Sequence, residues 1–313
     1  MTSHKWIRVA LLGCLVAAAV GAGEWVTFTT TGTTLRDVYM VTASNGWAVG
    51  DSGQIVHYDG STWTAVASPT SASIRGIKML SATSGWAVGT GGVILRYTGS
   101  NWTLATSPTS QDLYGVDLVS ASDGWACGKG GVLLRYNGAS WSVATSPTMQ
   151  DLNAVDMVAS SAVWVAGDAG VIYRYNGSSW ALQTTGVSFD LYGIALLNAT
   201  DGFAVGAYEA VLDYTPPSWT LVGQAVQNLN FCDVNYPTAS VAWTLGDEGR
   251  GKFYDGSMWR MYNTHFTQTV YGVSFCSAIN GWAVGQGGTI LKYIAGEPGV
   301  APASWGKIKA VFQ

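Results

Sequence analysis

The 313-residue chain is short of charge: Asp, Glu, Lys and Arg make up 11% of it, against about 25% in an ordinary soluble domain. That shortage excludes a long solvated coiled coil and a charged disordered tail, both of which depend on charge. A basic excess is also missing, since 15 Lys and Arg face 19 Asp and Glu for a net charge of −4. An electrostatic nucleic-acid binder is therefore not expected. After the N-terminus no apolar run is long enough to span a bilayer. Cysteine is scarce, with four residues. What is abundant is Gly, with 40 residues, and Trp, with 15. The glycines follow no three-residue period, which excludes collagen.

The N-terminus reads as an export signal. Lys5 and Arg8 precede an apolar run from Val9 to Ala19, and Val20-Gly21-Ala22 supplies small residues for cleavage. Residues 1–22 are taken as the signal peptide, and the mature protein is expected in the periplasm, at the cell surface or outside the cell. Cleavage would remove Cys14 and leave Cys127, Cys232 and Cys276. Their spacing is not that of a metal site. Whether Cys232 and Cys276 pair is left open, because geometry decides it.

A repeat organises the rest. Gly-Trp-Ala-Val-Gly occurs at 46–50, 85–89 and 281–285, with near copies at 124–128, 163–167, 202–206 and 242–246. The aromatic residues, Trp47, Trp86, Trp125, Trp164, Phe203, Trp243 and Trp282, are 39 or 40 residues apart. Each unit reads as four short strands. In the third these are Leu113 to Val119, Trp125 to Gly128, Val132 to Tyr136 and Trp141 to Thr145, with Asn137-Gly138 as a type I′ hairpin signal. Seven such units predict an all-β fold, a seven-bladed β-propeller of four-stranded antiparallel blades over residues 23–294. A second Trp falls 16 residues after each of the first six aromatics. The seventh is missing at Pro298, but Trp25 has the right spacing to replace it. The N-terminal strand is therefore expected to close the ring as the outer strand of the last blade. Residues 295–313 leave the repeat as a Gly/Pro linker and a tail, read either as a sorting or docking peptide or as a segment resting on the propeller.

The repeat carries a family resemblance. Gly46 to Ile55, Gly281 to Leu291, Gly60-Ser61-Thr62-Trp63 and Leu35-Arg36-Asp37-Val38 resemble the photosystem II stability/assembly-factor repeats, which belong with the wider BNR or Asp-box propellers. The resemblance covers residues 24–293. The full Asp-box places Asp five residues before its Trp, where this chain has Tyr58, Tyr97, Tyr136 and Tyr175, so the box is degenerate. The resemblance implies a propeller that acts by binding proteins and not by catalysis.

Where seven copies agree, packing is the default explanation, so function is sought where they differ. The variable residue near the start of the innermost strand is read as Arg36, Arg75, Tyr114, Asn153, Tyr192, Asn230 and Tyr271. These are expected to gather at one mouth of the central channel, as a partner-binding surface or as the wall of a water-filled pore. Three positions on come Tyr39, Lys78, Asp117, Asp156, Ala195, Asp233 and Ser274. Asp117, Asp156 and Asp233 raise the idea of a cation, but Ala195 interrupts the carboxylates and no metal is expected. The sixth unit departs most, with Asp247, Glu248, Arg250 and Lys252 close together and Arg260 beyond. Its Arg, Met and aromatic mix resembles an interface, against the alternative of drift in a tolerant loop.

No nucleophile elbow, phosphate loop or zinc helix motif occurs. No enzyme and no cofactor is expected. The leading expectation is an exported, monomeric propeller that scaffolds or binds a protein. A glycan-binding propeller is the alternative, and a glycoside hydrolase the remoter one, because only Arg36 and Arg75 could form the Arg cluster that sialidase chemistry needs.

Overall fold

The computed structural model describes residues 23–224 and 228–296. Residues 1–22, expected to be an export signal, and almost all of the tail lie outside the described residues. The described chain forms 28 strands, in seven four-stranded antiparallel sheets. Six of these blades run in chain order from the channel outward. The first is β2 (Leu35–Thr42), β3 (Asn45–Gly50), β4 (Ile55–Tyr58) and β5 (Trp63–Ala65). The innermost strands of the next five blades are β6 (Ile74–Ser81), β10 (Leu113–Ser120), β14 (Leu152–Ala159), β18 (Leu191–Asn198) and β22 (Phe231–Thr238). Each innermost strand contacts the next around the ring, and β26 (Val270–Ser277) returns to β2.

The last blade is completed as expected. Its order is β1-β28-β27-β26, with β27 (Asn280–Gly285) between β26 and β28, β1 (Glu24–Thr30) antiparallel to β28 (Thr289–Ile294), and Trp25 opposite Tyr293. Trp25 is buried and stands edge-on to Trp243 at 5.7 Å. The hydroxyl of Tyr262, in blade six, donates to the Gly23 carbonyl at 2.6 Å. The closing strand is thus tied to two blades.

The core lies between blades. One cluster joins Trp47, Val49 and Ile55 of the first blade to Ile74, Met79, Leu95 and Trp102 of the second. The second strand of each blade is buried on both faces, which is why it alternates large with small residues: Trp47, Ala48 and Val49 are each at most 2% exposed. The motif aromatic of one blade meets the outer-strand Trp of the next at 5.6 Å for Trp47–Trp102, 5.5 Å for Trp86–Trp141 and 5.1 Å for Trp125–Trp180. Arg96, Arg135 and Arg174 cover Trp86, Trp125 and Trp164 from the third strand, 4.9 to 5.3 Å from the ring centroids.

The outer hairpins differ from the expected type I′ turn. Asn137 keeps negative φ, and only Gly138 is left-handed, at φ 94°. The strands end at Tyr136 and Trp141, so four residues bridge them where a type I′ turn would use two. The Asn137 side chain holds this wider loop by accepting from the Ala139 and Ser140 N–H groups. Cys127, Cys232 and Cys276 are all free thiols.

Candidate functional site

The innermost strand of every blade has a register shift beside its second residue, as between Leu35 and Asp37. Such a bulge swings that residue out of the inter-blade layer. Six of the seven expected mouth residues occupy this position, and all seven line one cavity of about 420 Å3. The sixth blade needs a correction. Phe231 pairs with Gly246 as Leu35 pairs with Gly50, so Cys232, not Asn230, is the repeat-equivalent residue. Asn230 still reaches the cavity from the approach to the strand. Asp233 accordingly matches Asp37, and Asn235 takes the place given to Asp233.

The cavity wall is chemically uneven. Arg36 makes a two-pronged ion pair with Asp51, at 2.9 and 2.7 Å, and lies 4.5 Å from the Tyr271 ring centroid. Arg75 lies over Tyr114 at 5.6 Å, and its buried Nε has no hydrogen-bond partner among the described residues. Tyr114 donates to Asp151 at 3.3 Å, and burial followed by Asp151 pushes its pKa up to about 12. Asn153 donates to Asp168 and to the Leu191 carbonyl, both at 2.9 Å. Asn230 donates to Asp247 at 2.8 Å. Asp51, Asp151, Asp247 and Cys232 were not among the expected mouth residues. The acids could have been found, because each sits in a repeated turn or just ahead of an innermost strand.

Below the mouth the channel is lined by side chains that serve the ring. An innermost strand has no partner on its channel side, so its N–H groups need acceptors. Asp37 accepts from Val38 and, on the next blade, from Ile77 at 2.8 Å. Asp117 does the same for Leu118 and Met157, Asp156 for Leu196, and Asp233 for Val234 and Val273. Asn235 and Ser274 make comparable bonds to Phe275 and Met40. Asp117, Asp156 and Asp233 therefore act as inter-blade stitches. No group of three or more potential metal ligands occurs among the described residues.

Burial pushes the Asp156 pKa up to about 7, helped by the Asp117 charge and opposed by Lys78. It pushes Asp233 up to about 6. Asp37 is raised well above the usual range by burial and then by Asp233. Lys78 pairs with Asp117 at 2.6 Å. Burial works against its charge, but Asp117, Tyr39 and Asp156 outweigh that and raise its pKa.

The five charged residues of the sixth unit do not form one surface. Asp247 is at the mouth. Arg250 pairs with Glu209 of blade five, which is 1% exposed, and Lys252 donates to the Glu209 carbonyl at 3.0 Å. Arg260 pairs with Asp255 at 2.7 Å on the outer strand, and Glu248 is exposed. Arg250 and Lys252 thus tie two blades together. Sequence reading missed this because Glu209 sits in the one inner turn that departs from the glycine pattern.

A closed ring of seven four-stranded blades with a polar, aromatic-walled mouth and an interior channel of stitched carboxylates defines a seven-bladed β-propeller. No family model and no curated protein matches the chain. Solved structures do. YCF48 bound to D1 peptide superposes with a TM-score of 0.71 at 17% identity, covering 89% of this chain and 98% of that one. YCF48 from Cyanidioschyzon merolae gives 0.71 at 16%, covering 87% and 99%. The WD40 repeats of RRP9 give 0.74 at 10%, covering 88% and 100%. The fold is that of a YCF48-like propeller, as the repeat resemblance implied.

Proposed function

We propose that the chain is an exported, non-enzymatic propeller that acts as a protein-binding scaffold or assembly factor, with the channel mouth as its capture site. The observation that carries this reading is the mouth itself. It combines two Arg, three Tyr and paired amides around one open cavity, whereas the channel acids below are committed to backbone N–H groups. Tyr and Arg are the residues that anchor protein interfaces. The YCF48 propeller bound to a D1 peptide and the WD40 propellers support a protein ligand by analogy of fold. A catalytic reading lacks support, because the buried carboxyls are spaced by blade symmetry and already hold structural bonds.

Two measurements test the proposal. Affinity capture with the tagged protein, from the envelope of its native host, should retain a protein that the Tyr114→Ala/Tyr271→Ala double variant loses. Retention unchanged by that variant would move the site away from the mouth. Mass spectrometry of the host's own protein should find it in the envelope or medium, with its N-terminus beyond residue 22. An intact N-terminus in the cytosol would overturn export.

A further inference from the structure

The mouth has two electrically different halves, and they face each other. Arg36 and Arg75 belong to blades one and two. In a ring of seven, the blade opposite their junction is blade five. Around blades four to six stand Asp151, Asp168, Asp190 and Asp247. None of them has a salt-bridge partner among the described residues, where all five ion pairs lie elsewhere. Asp151 and Asp247 line the cavity with Tyr192. Asp168 and Asp190 are outside the cavity lining: Asp168 accepts from Asn153, and Asp190 caps the turn at Ala169 as Asp112 caps that at Gly91. On the other side Asp51 neutralises Arg36, but Arg75 has no carboxylate and one unpartnered nitrogen. The cavity wall itself therefore sets Arg36 and Arg75, on blades one and two, across the channel from Asp151 and Asp247, beside blades four and six.

The titration of neighbouring groups agrees. Burial, and then Asp190, Asp168, Cys232 and Asp247, push the Tyr192 pKa up to about 12. Burial raises the Asp168 pKa, Asn153 opposes, and Asp190 and Asp151 add to the rise. Asp51 is held below its usual range by Arg36, with a further contribution from Arg75. These shifts accompany the placement of Asp151 and Asp247 opposite Arg36 and Arg75 in the cavity wall. A low-dielectric cleft concentrates the fields of such charges.

We propose that the mouth takes an extended peptide segment of mixed charge, seated with an acidic group on Arg75 and a basic side chain against Asp151 and Asp247. This rests on the reading of the mouth as a protein-capture site and adds the partner's charge pattern and its direction across the ring. A uniformly acidic segment would satisfy Arg75 and meet repulsion opposite. A uniformly basic one would do the reverse. Only a segment with both charges, separated by a few uncharged residues, is attracted at both ends.

The test uses the mature full chain and three fluorescein-labelled synthetic peptides of equal length: one with Glu near one end and Lys near the other, one with Glu at both, and one with Lys at both. Fluorescence anisotropy at about 0.05 M and 0.15 M salt reads the affinities. The mixed peptide should bind at least about tenfold more tightly than either other at low salt, and weaken as salt rises. Arg75→Gln should weaken the mixed and acidic peptides and tighten the basic one, which no longer meets a like charge. Asp151→Asn with Asp247→Asn should weaken the mixed and basic peptides and tighten the acidic one. Circular dichroism at the same temperature confirms that each variant is folded. Tightest binding by the acidic or the basic peptide would overturn the dipolar mouth while leaving the mouth as a peptide site. Failure of all three peptides at millimolar concentration would overturn both the dipolar mouth and peptide capture there.

Discussion

Single side chains hold this molecule at the seams between blades. Trp86 and Trp141 belong to adjacent blades and meet edge to face, with Tyr136 against both. Ten of the Trp residues have an indole N–H without a hydrogen-bond partner among the described residues, so their contribution comes from buried area and ring geometry. Trp86→Ala is expected to cost roughly 3–5 kcal/mol, read as a fall in the denaturant midpoint. A loss below about 1 kcal/mol would contradict the inter-blade role. Gly272 shows the same closeness at the channel. A Cβ there would stand 2.9 Å from the Asp37 Cα of the next blade, so Gly272→Ala should lower the melting temperature. Asp37, Ala154 and Asp233 hold the equivalent place in blades one, four and six. Asp156 gives a pH signature. Its pKa in the fold is about 7, above the unfolded value near 3.9. The folded state therefore binds the extra proton, and this group's contribution to stability is lost as pH rises from about 4 through about 7. Asp156→Asn should flatten the dependence of melting temperature on pH across that window. An unchanged profile would place the titration elsewhere.

At the scale of elements, the ring depends on one strand. β1 supplies the outer strand of the last blade and carries Trp25 into a cluster with Val241, Trp243 and Phe275. Deleting residues 23–30 is expected to lower stability by several kcal/mol, because it uncovers the edge of β28 and removes Trp25. An unchanged thermal melt would refute closure by this strand. This element was legible from one spacing, the distance from Trp25 to Trp47. The blades were legible for the same reason, since a repeated motif fixes every strand by offset. The sixth blade shows how that reading goes astray. The interval before Trp243 is one residue longer than the rest, and taking Leu229-Asn230 for the strand start put the mouth residue two positions early. In all seven units the strand begins twelve residues before the motif aromatic, at Phe231 in this case. Counting back from Trp243 would have found Cys232. The Glu209 latch to Arg250 and Lys252 was not legible, because it joins an atypical turn to residues about 40 positions away in another blade.

At the scale of the whole molecule, low charge and high Trp content have one cause. Seven blades buried against each other leave few solvated positions, and the few charges are placed where they matter: on Trp faces, in seams, in channel stitches and at the mouth. The mouth residues repeat in position and differ in chemistry, which is what a binding surface built on a symmetric frame requires. The most direct test places a photo-crosslinking amino acid at Tyr271 in the mouth, and separately at the exposed Thr103 on the outer rim, in the native host. Irradiation should give a discrete protein adduct from Tyr271 and none from Thr103. Adducts from Thr103 alone, or none from either position, would contradict capture of a protein partner at the mouth.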